Sequence, residues 1–389
     1  MLQAVLRGTF WLGTATVLYA YLLYPVLIWV FAGMRRERRA ASHQEPPPSF
    51  SVILPVRDEA ARVGARLDEL LRSIGTTGRS GELIVVADGC TDGTAALARA
   101  RGGPMLRVIE LPENEGKASA LSRGSEAAKG EILVFADVRQ RWAATALERL
   151  LSNFDRDEVG AVTGELMVET PDGALAGVGL YWRYEKWLRR NEGRLHSTVG
   201  VSGSISAVRR DLFRPIPRGV LLDDVYWPLQ VAMQGRRVIY DERAIAYDRL
   251  PERTQDEFLR KVRTLSGNFQ LLAVLPQALI PWRNPIWAQF VSHKLLRLAV
   301  PWMLLAVFLA SSVLDGALYL IAFAAQVMFY ALALIALPAG PGSRWRVASA
   351  AAGFVVLNAA AWVAFWVWIC GRTEGAWKKV AYDVSLPPD

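Results

Sequence analysis

The chain has 389 residues and only two cysteines, Cys90 and Cys370, which excludes a disulfide-stapled scaffold. Hydrophobic residues make up 52% of it and collect in residues 9–33 and after residue 296, a distribution that points to a catalytic-sized domain flanked by membrane segments. The formal net charge is +8, but no basic stripe with interleaved aromatics crosses the centre, which argues against nucleic acid; His43, His196 and His293 are too scattered for a zinc site.

Residues 9–33 are apolar for about the length that spans a bilayer. Arg35, Arg36, Arg38 and Arg39 follow directly and mark the cytoplasmic side. A signal peptide would have a shorter apolar run with its positive residues in front. Residues 1–33 therefore read as an uncleaved anchor with its N-terminus outside and residues 34 onward inside. Residues 34–48, rich in Arg and then EPPP, form a linker.

From residue 50 short apolar runs alternate with helical periods. SVILPV is a strand, and Leu67, Leu70, Leu71 and Ile74 then share one helix face. LIVVA is a strand, TAALARA a helix, LRVIEL a strand, KASALSRGSEAA a helix and EILVFA a strand. Continuous Val, Ile and Leu runs suit strands buried on both faces. The alternation predicts a largely parallel α/β sheet, in which ligands bind beyond the carboxyl ends of the strands.

Acidic motifs sit at those ends. Strand one closes on Pro55, Arg57, Asp58 and Glu59, where a carboxylate can accept hydrogen bonds from a nucleoside; the structural alternative is helix capping. Strand two closes on Asp88, Gly89, Cys90, Thr91, Asp92, Gly93 and Thr94, with a turn plus N-cap by Asp92 and Thr94 as the alternative. In ENEGKA, residues 113–118, Lys117 opens a helix against the dipole, which hints at an anionic ligand; a solvated lysine is the alternative. Strand four closes on Asp137, Val138 and Arg139; Asp137 can hold a hard divalent cation through oxygen, whereas Arg139 cannot, and its guanidinium suits phosphate instead. VGVSGSISAV, residues 199–208, contains Gly203 and Ser204, and Asp223 and Asp224 open a further helix that they could merely cap. Trp182, Tyr181, Trp187 and Trp227 offer sugar-stacking surfaces, although such residues are more often core or membrane-facing.

Beyond the central domain, Pro276, Pro281 and Pro285 interrupt residues 269–295, where Trp282 and Trp287 suggest amphipathic pieces in a membrane interface or an ordinary helix packed on the domain. Three spans follow near 296–314, 317–337 and 347–369, within a membrane region of 296–371. Four spans would leave the tail, 372–389, outside, yet it carries Arg372, Lys378 and Lys379; either one stretch is re-entrant or the tail breaks the charge rule.

Taken in order, SVILPVRDE, LIVVADGCTDGT, EILVFAD, LDDV and RKVRTLSGNFQ strongly resemble the family 2 glycosyltransferases of the GT-A fold, over about residues 49–275. The resemblance implies a GT-A domain at 49–268, Rossmann-like with a mostly parallel sheet, plus transmembrane α-helices. It implies transfer of a sugar, with inversion, from a nucleotide-sugar donor (a UDP-sugar foremost) to a polysaccharide or lipid-linked acceptor. Pro55, Arg57, Glu59, Asp88, Lys117 and Asp137 would bind the nucleotide, and Asp137 would hold Mg2+ or Mn2+. Gly203, Ser204, Asp223 and Arg260 would face the acceptor, Asp224 would be the base, and Arg263 would meet the diphosphate. The chain departs from the family pattern in Asp58 for Asn, Ala87 for an acid, Arg139 for the second metal acid, Arg260 for Gln and Thr264 for the Trp of processive synthases. Those departures leave a second expectation open, a catalytically weak nucleotide-sugar-binding subunit of a polysaccharide synthesis or export complex; a third is an export component with a pseudo-enzyme domain. The expected setting is the inner (plasma) membrane, in contact with its lipids and with a possible polysaccharide export partner, the catalytic domain being cytoplasmic.

Overall fold

The computed structural model describes residues 1–35, 48–169, 176–249, 254–336 and 346–371. Nearly all of the expected linker, the link carrying Arg344 and the tail from 372 lie outside these residues.

Among the described residues eight strands form one sheet: β1 (Phe50–Val56), β2 (Gly81–Asp88), β3 (Leu106–Leu111), β4 (Ile132–Ala136), β5 (Arg141–Trp142), β6 (Val159–Glu169), β7 (Ile205–Arg209) and β8 (Arg237–Arg249). Their order is β3-β2-β1-β4-β7-β6-β8-β5. The first four pair in parallel, as the alternating pattern predicts. β7 then enters antiparallel between β4 and β6, β8 pairs parallel with β6, and β5 closes the edge antiparallel.

Alternate residues of each central strand feed two cores. Val52, Leu54, Leu83 and Val85 pack on one face with Leu67, Leu70 and Ile74 of α2 (Ala60–Thr76). Ile53, Ile84, Leu133 and Phe135 pack on the other, with Leu121 of α4 (Lys117–Ala127) and Trp227 of α7 (Asp223–Met233). Each such aliphatic side chain, wholly removed from water, contributes about 1.5–3 kcal/mol. The remaining helices of this half are α3 (Thr94–Arg101), α5 (Ala146–Leu151) and α6 (Ala176–Leu195).

Among the described residues four helices are long and apolar enough to cross a membrane: α1 (Leu2–Met34), α9 (Trp287–Val313), α10 (Ala317–Ala336) and α11, whose apolar span is Val347–Ile369. α1 and α9 each contain a five-residue π-helical segment, Tyr19–Leu23 and Val291–Leu295.

The structure divides residues 269–295 differently from the amphipathic pieces that the prolines suggest. Residues up to Val274 continue α8 (Thr254–Val274), a short 3-10 turn covers Pro276–Leu279, and Trp287 already begins α9. α8 runs on because its last turns have partners: Phe269 packs against Phe365 and Trp368 of α11 at centroid distances of 5.5 and 5.7 Å, and Ser266 donates to the Ala364 carbonyl at 3.1 Å. Trp282 remains highly exposed, as an interfacial residue would be.

Candidate active site

The order β3-β2-β1-β4 brings the loops after β1, β2 and β4 to one edge, which gathers the acidic motifs. After β1, Asp58 adopts a left-handed backbone with φ of 50°. Its carboxylate accepts from the Thr91 amide at 2.7 Å and the Thr91 hydroxyl at 3.2 Å, and these bonds hold its pKa below the usual value. Asp92 accepts from the amides of Ala60 at 3.1 Å and Thr94 at 2.9 Å, so one carboxylate serves the first turns of both α2 and α3. This is the structural role that the sequence allows for Asp92. The Glu59 amide donates to the Thr94 hydroxyl at 2.7 Å, while the Glu59 carboxylate caps nothing and pairs with Arg62 at 3.0 Å. The two loops are thus laced together, with Arg57 and Glu59 at their junction and Pro55 inside β1 opposite Val86.

Asp88 is buried at the end of β2. Its two oxygens accept from the amides of Glu115 at 2.7 Å and Gly116 at 2.9 Å. It fixes the loop that leads into α4, a task that its spacing in the sequence did not reveal. Gly89 and Gly116 have φ of 57° and 90°, and a Cβ at Gly89 would run into the backbone of Glu113 and Asn114.

The held loop delivers Lys117, whose Nζ donates to Asp137 Oδ1 at 2.6 Å. Burial alone would lower the Lys117 pKa, but Asp137, Asp223 and Asp224 around it raise it instead. Asp223 is pushed up to about 6, chiefly by burial and also by Asp224 and Asp137, against the opposing pull of Lys117. Neither aspartate caps α7 by its side chain; both stand in its first turn. Three carboxylates therefore surround one ammonium, a cluster short of positive charge.

Residues 199–204 form the facing wall. The Val201 amide donates to the Asp224 carbonyl at 2.8 Å, and a Cβ on Gly203 would lie 3.1 Å from Lys117 Nζ and 3.9 Å from the Asp224 Cβ. Ser204 is buried and its hydroxyl lies 2.9 Å from that of Ser202. Two positioning residues escape a reading of the sequence. Trp142 donates its indole N–H to the Ser204 carbonyl at 2.9 Å, and buried Arg66 donates to the Asp137 carbonyl at 3.0 Å while its guanidinium lies over Trp142. Both sit in ordinary apolar or helical context, so no local pattern marks them.

Arg139 makes a two-pronged pair with Asp248 of β8, at 3.1 and 2.9 Å, in place of the phosphate contact that its position allowed. Arg260 and Arg263 lie on α8, two turns and one turn before Gly267, where a Cβ would come within 2.6 Å of the Leu222 side chain. Gln270 holds the same loop, accepting from the Leu221 amide at 2.9 Å and donating to the Gly219 carbonyl at 2.8 Å. α8 is thereby fastened to the chain that leads into Asp223. Of the aromatic candidates, Trp227 belongs to the core, Trp187 is partly exposed and the Tyr181 side chain lies outside the described residues.

Among the described residues no group of three or more metal-ligating side chains converges. The arrangement nevertheless fits a hard divalent cation, because such ions are held by one or two carboxylates together with water and substrate phosphates. The carboxylate excess around Lys117 supplies the negative field, and Asp137 at the strand end is the residue that would hold the ion.

Residues 51–216 match the family described as Glycosyl transferase family 2, so the chain carries a family 2 glycosyltransferase domain, and its sheet and flanking helices are those of the GT-A fold. A mannosyltransferase from Pyrobaculum calidifontis, solved with GDP-Man and Mn2+, superposes with a TM-score of 0.70 over 96% of this chain and 100% of its own, at 22% identity, which establishes the shared fold. A dolichyl-phosphate beta-glucosyltransferase of Drosophila melanogaster is 40% identical over 101 residues, 24% of this chain and 31% of its own length. A poly-beta-1,6-N-acetyl-D-glucosamine synthase of Staphylococcus aureus is 22% identical over 198 residues, 49% of this chain and 48% of its own. The chain thus spans less than half the length of these curated relatives.

Proposed function

We propose that the protein is a membrane-bound inverting glycosyltransferase that moves a hexosyl group from a nucleoside diphosphate donor, a UDP-sugar first among them, to a lipid-linked or polysaccharide acceptor. The observation that carries this reading is the cluster of Lys117, Asp137, Asp223 and Asp224 against Gly203, at the carboxyl edge of β4. The names of the relatives, one acting on a dolichyl phosphate and one a polysaccharide synthase, support the two acceptor classes.

In this reading Arg57, Glu59 and Asp88 border the nucleoside, and Lys117 meets the donor phosphates. A Mg2+ or Mn2+ ion on Asp137 would neutralise the diphosphate as it departs. Asp224 takes the proton of the attacking acceptor group, a sugar hydroxyl or the P–OH of a lipid phosphate, whose oxygen forms its bond to the anomeric carbon from the face opposite the leaving group. The bond from that carbon to the diphosphate breaks, its electron pair leaves with the nucleoside diphosphate, and the anomeric centre inverts. Lys117 and Arg263 stabilise the negative charge that develops there. Arg260, Gly203, Ser204 and Asp223 border the acceptor. The arginines after α1 favour a cytoplasmic catalytic domain at the plasma membrane.

The test is release of nucleoside diphosphate from a panel of UDP- and GDP-sugars by detergent-purified protein, with Mg2+ or Mn2+, beside Asp224→Asn. Turnover of one donor that falls by about 100- to 10,000-fold in the variant is expected, the usual share of a general base. Donor binding without any turnover, with lipid and sugar acceptors supplied, would favour the regulatory subunit to which Arg139, paired with Asp248 instead of acting as a metal acid, gives some support.

A further inference from the structure

At the junction of the catalytic domain and the membrane-length helices lies a buried polar cluster that the transfer chemistry does not use. Glu192 of α6, fully buried, accepts from the Tyr24 hydroxyl at 2.5 Å and lies 2.8 Å from His293 Nδ1. The other ring nitrogen of His293 lies 3.0 Å from Glu185, which also pairs with Arg297. Burial alone would raise the Glu185 pKa, but Arg297 and His293 hold its carboxyl well below the usual range. Tyr19 and Ser292 share a hydroxyl contact at 2.9 Å. The two π-helical segments, Tyr19–Leu23 and Val291–Leu295, therefore meet here, and such segments recur at functional sites because they re-aim side chains.

The residue after His293 is Lys294. Its charged neighbours are Arg189 of α6, then Glu185, Asp224 and Glu192. Glu185 is taken by His293 and Arg297, and Glu192 by His293 and Tyr24. Among the described residues neither Lys294 nor Arg189 has a carboxylate within ion-pair distance, and both are only partly exposed. Glu185, Arg189 and Glu192 follow one another at spacings of four and three residues on one face of α6, and His293 is bonded to both glutamates, so Arg189 faces the turn of α9 that carries Lys294. Two like charges held near each other in a partly dehydrated place repel unless an anion lies between them. Gln289, five residues before Lys294 on α9, donates to the Ser197 carbonyl at 2.8 Å, and the Val201 amide donates to the Asp224 carbonyl at 2.8 Å, so residues 197–201 run from this part of α9 to the candidate catalytic cluster. On the other side, Lys294 stands within the first turns of a helix that continues as Leu295, Leu296, Leu298 and Val300 into its apolar length, the level at which lysines meet lipid head groups.

We infer that Lys294 and Arg189 bind the phosphate of a membrane lipid, and that this is the anionic end of the acceptor site beside Asp224. The inference rests on the reading that the apolar helices lie in a membrane and that the acceptor is lipid-linked. The buried cluster fixes the geometry by locking α6 to α1 and α9, so that one cation from the catalytic domain and one from the membrane helix face the same anion.

The test measures lipid binding with no donor sugar present. Full-length protein in maltoside detergent is titrated with a polyprenyl monophosphate, with the uncharged polyprenol and with inorganic phosphate, and bound lipid is counted by native mass spectrometry. Wild type should hold the lipid phosphate in preference to the polyprenol; Lys294→Gln and Arg189→Gln should each weaken it about tenfold, and Lys294→Arg should retain it. Variants that remain monodisperse and still bind a UDP-sugar, yet hold the lipid phosphate as wild type does, would overturn the inference. So would equal retention of the polyprenol, or displacement by equimolar inorganic phosphate, which would make free phosphate the ligand. Lipid binding as expected in a protein that transfers no sugar would count against the transferase reading alone.

Discussion

Asp223 carries the clearest pH signature in the molecule. Its pKa of about 6 in the folded state, against 3.8 as the ordinary value, means that the native protein holds a proton that the unfolded chain releases between those limits. Its contribution to stability is therefore present at low pH and lost as pH rises through that window. Asp223→Asn should flatten this part of the profile, and thermal unfolding of the detergent-solubilised pair from about pH 4 to about pH 7 checks it. Gly89 makes a second prediction. A methyl group there meets the Glu113 and Asn114 backbone at a φ that L-residues avoid, so Gly89→Ala should cost about 1–3 kcal/mol. Because Asp88 and Gly89 together shape the loop that delivers Lys117, donor affinity measured by titration should fall along with the melting temperature.

At the scale of elements, α8 joins two parts that act together. Its C-terminal turns are bound to the membrane-length α11 through Ser266 and Phe269 and to the loop before Asp223 through Gly267 and Gln270. Arg263 rides on this helix one turn earlier. If it meets the departing diphosphate, Arg263→Ala should lower kcat by about 100- to 1,000-fold with little change in donor KM, because the charge it answers appears mainly in the transition state. Counting donor-binding sites per protein by titration separates this from a loss of folding, which would lower the number of sites along with kcat. The helix periods and strand runs of the central domain were legible because the central strands are apolar nearly throughout and α2 is apolar along the face it buries, although α4 also buries Ser119, Ser122 and Ser125. The extent of α8 was not, since the prolines at 276, 281 and 285 mark where it must stop and say nothing of where its last turns dock.

In the molecule as a whole, the catalytic domain is fastened to the apolar helices by buried charge. Arg297 pairs with Glu185, donates to the Tyr184 hydroxyl at 3.2 Å and lies over the Tyr21 and Tyr184 rings. Removing it strands a buried carboxylate, so Arg297→Leu should cost about 3–5 kcal/mol. The loss should appear as a lower melting temperature and as faster proteolysis near α6, with Arg297→Lys recovering part of both.

By itself the sequence determined the parallel half of the sheet, the four apolar segments and the ends of β1, β2 and β4 as the candidate place of chemistry. Those features are local: a strand buried on both faces must be continuously apolar, and a segment that crosses lipid must be apolar for its whole length. It also made Asp137, Lys117, Asp223 and Asp224 candidates, because acids and a misplaced lysine at element ends are visible in one dimension. Only the tertiary structure decided that these four share one cluster, that Asp88 spends both oxygens on the Glu115 and Gly116 amides, and that Arg139 belongs to Asp248. It also packed the face of α6 that carries Arg189 against the turn of α9 that carries Lys294, more than a hundred residues away, through His293. A side chain's charge is written in the sequence, but which opposite charge or backbone group answers it depends on distances that only the packed chain sets.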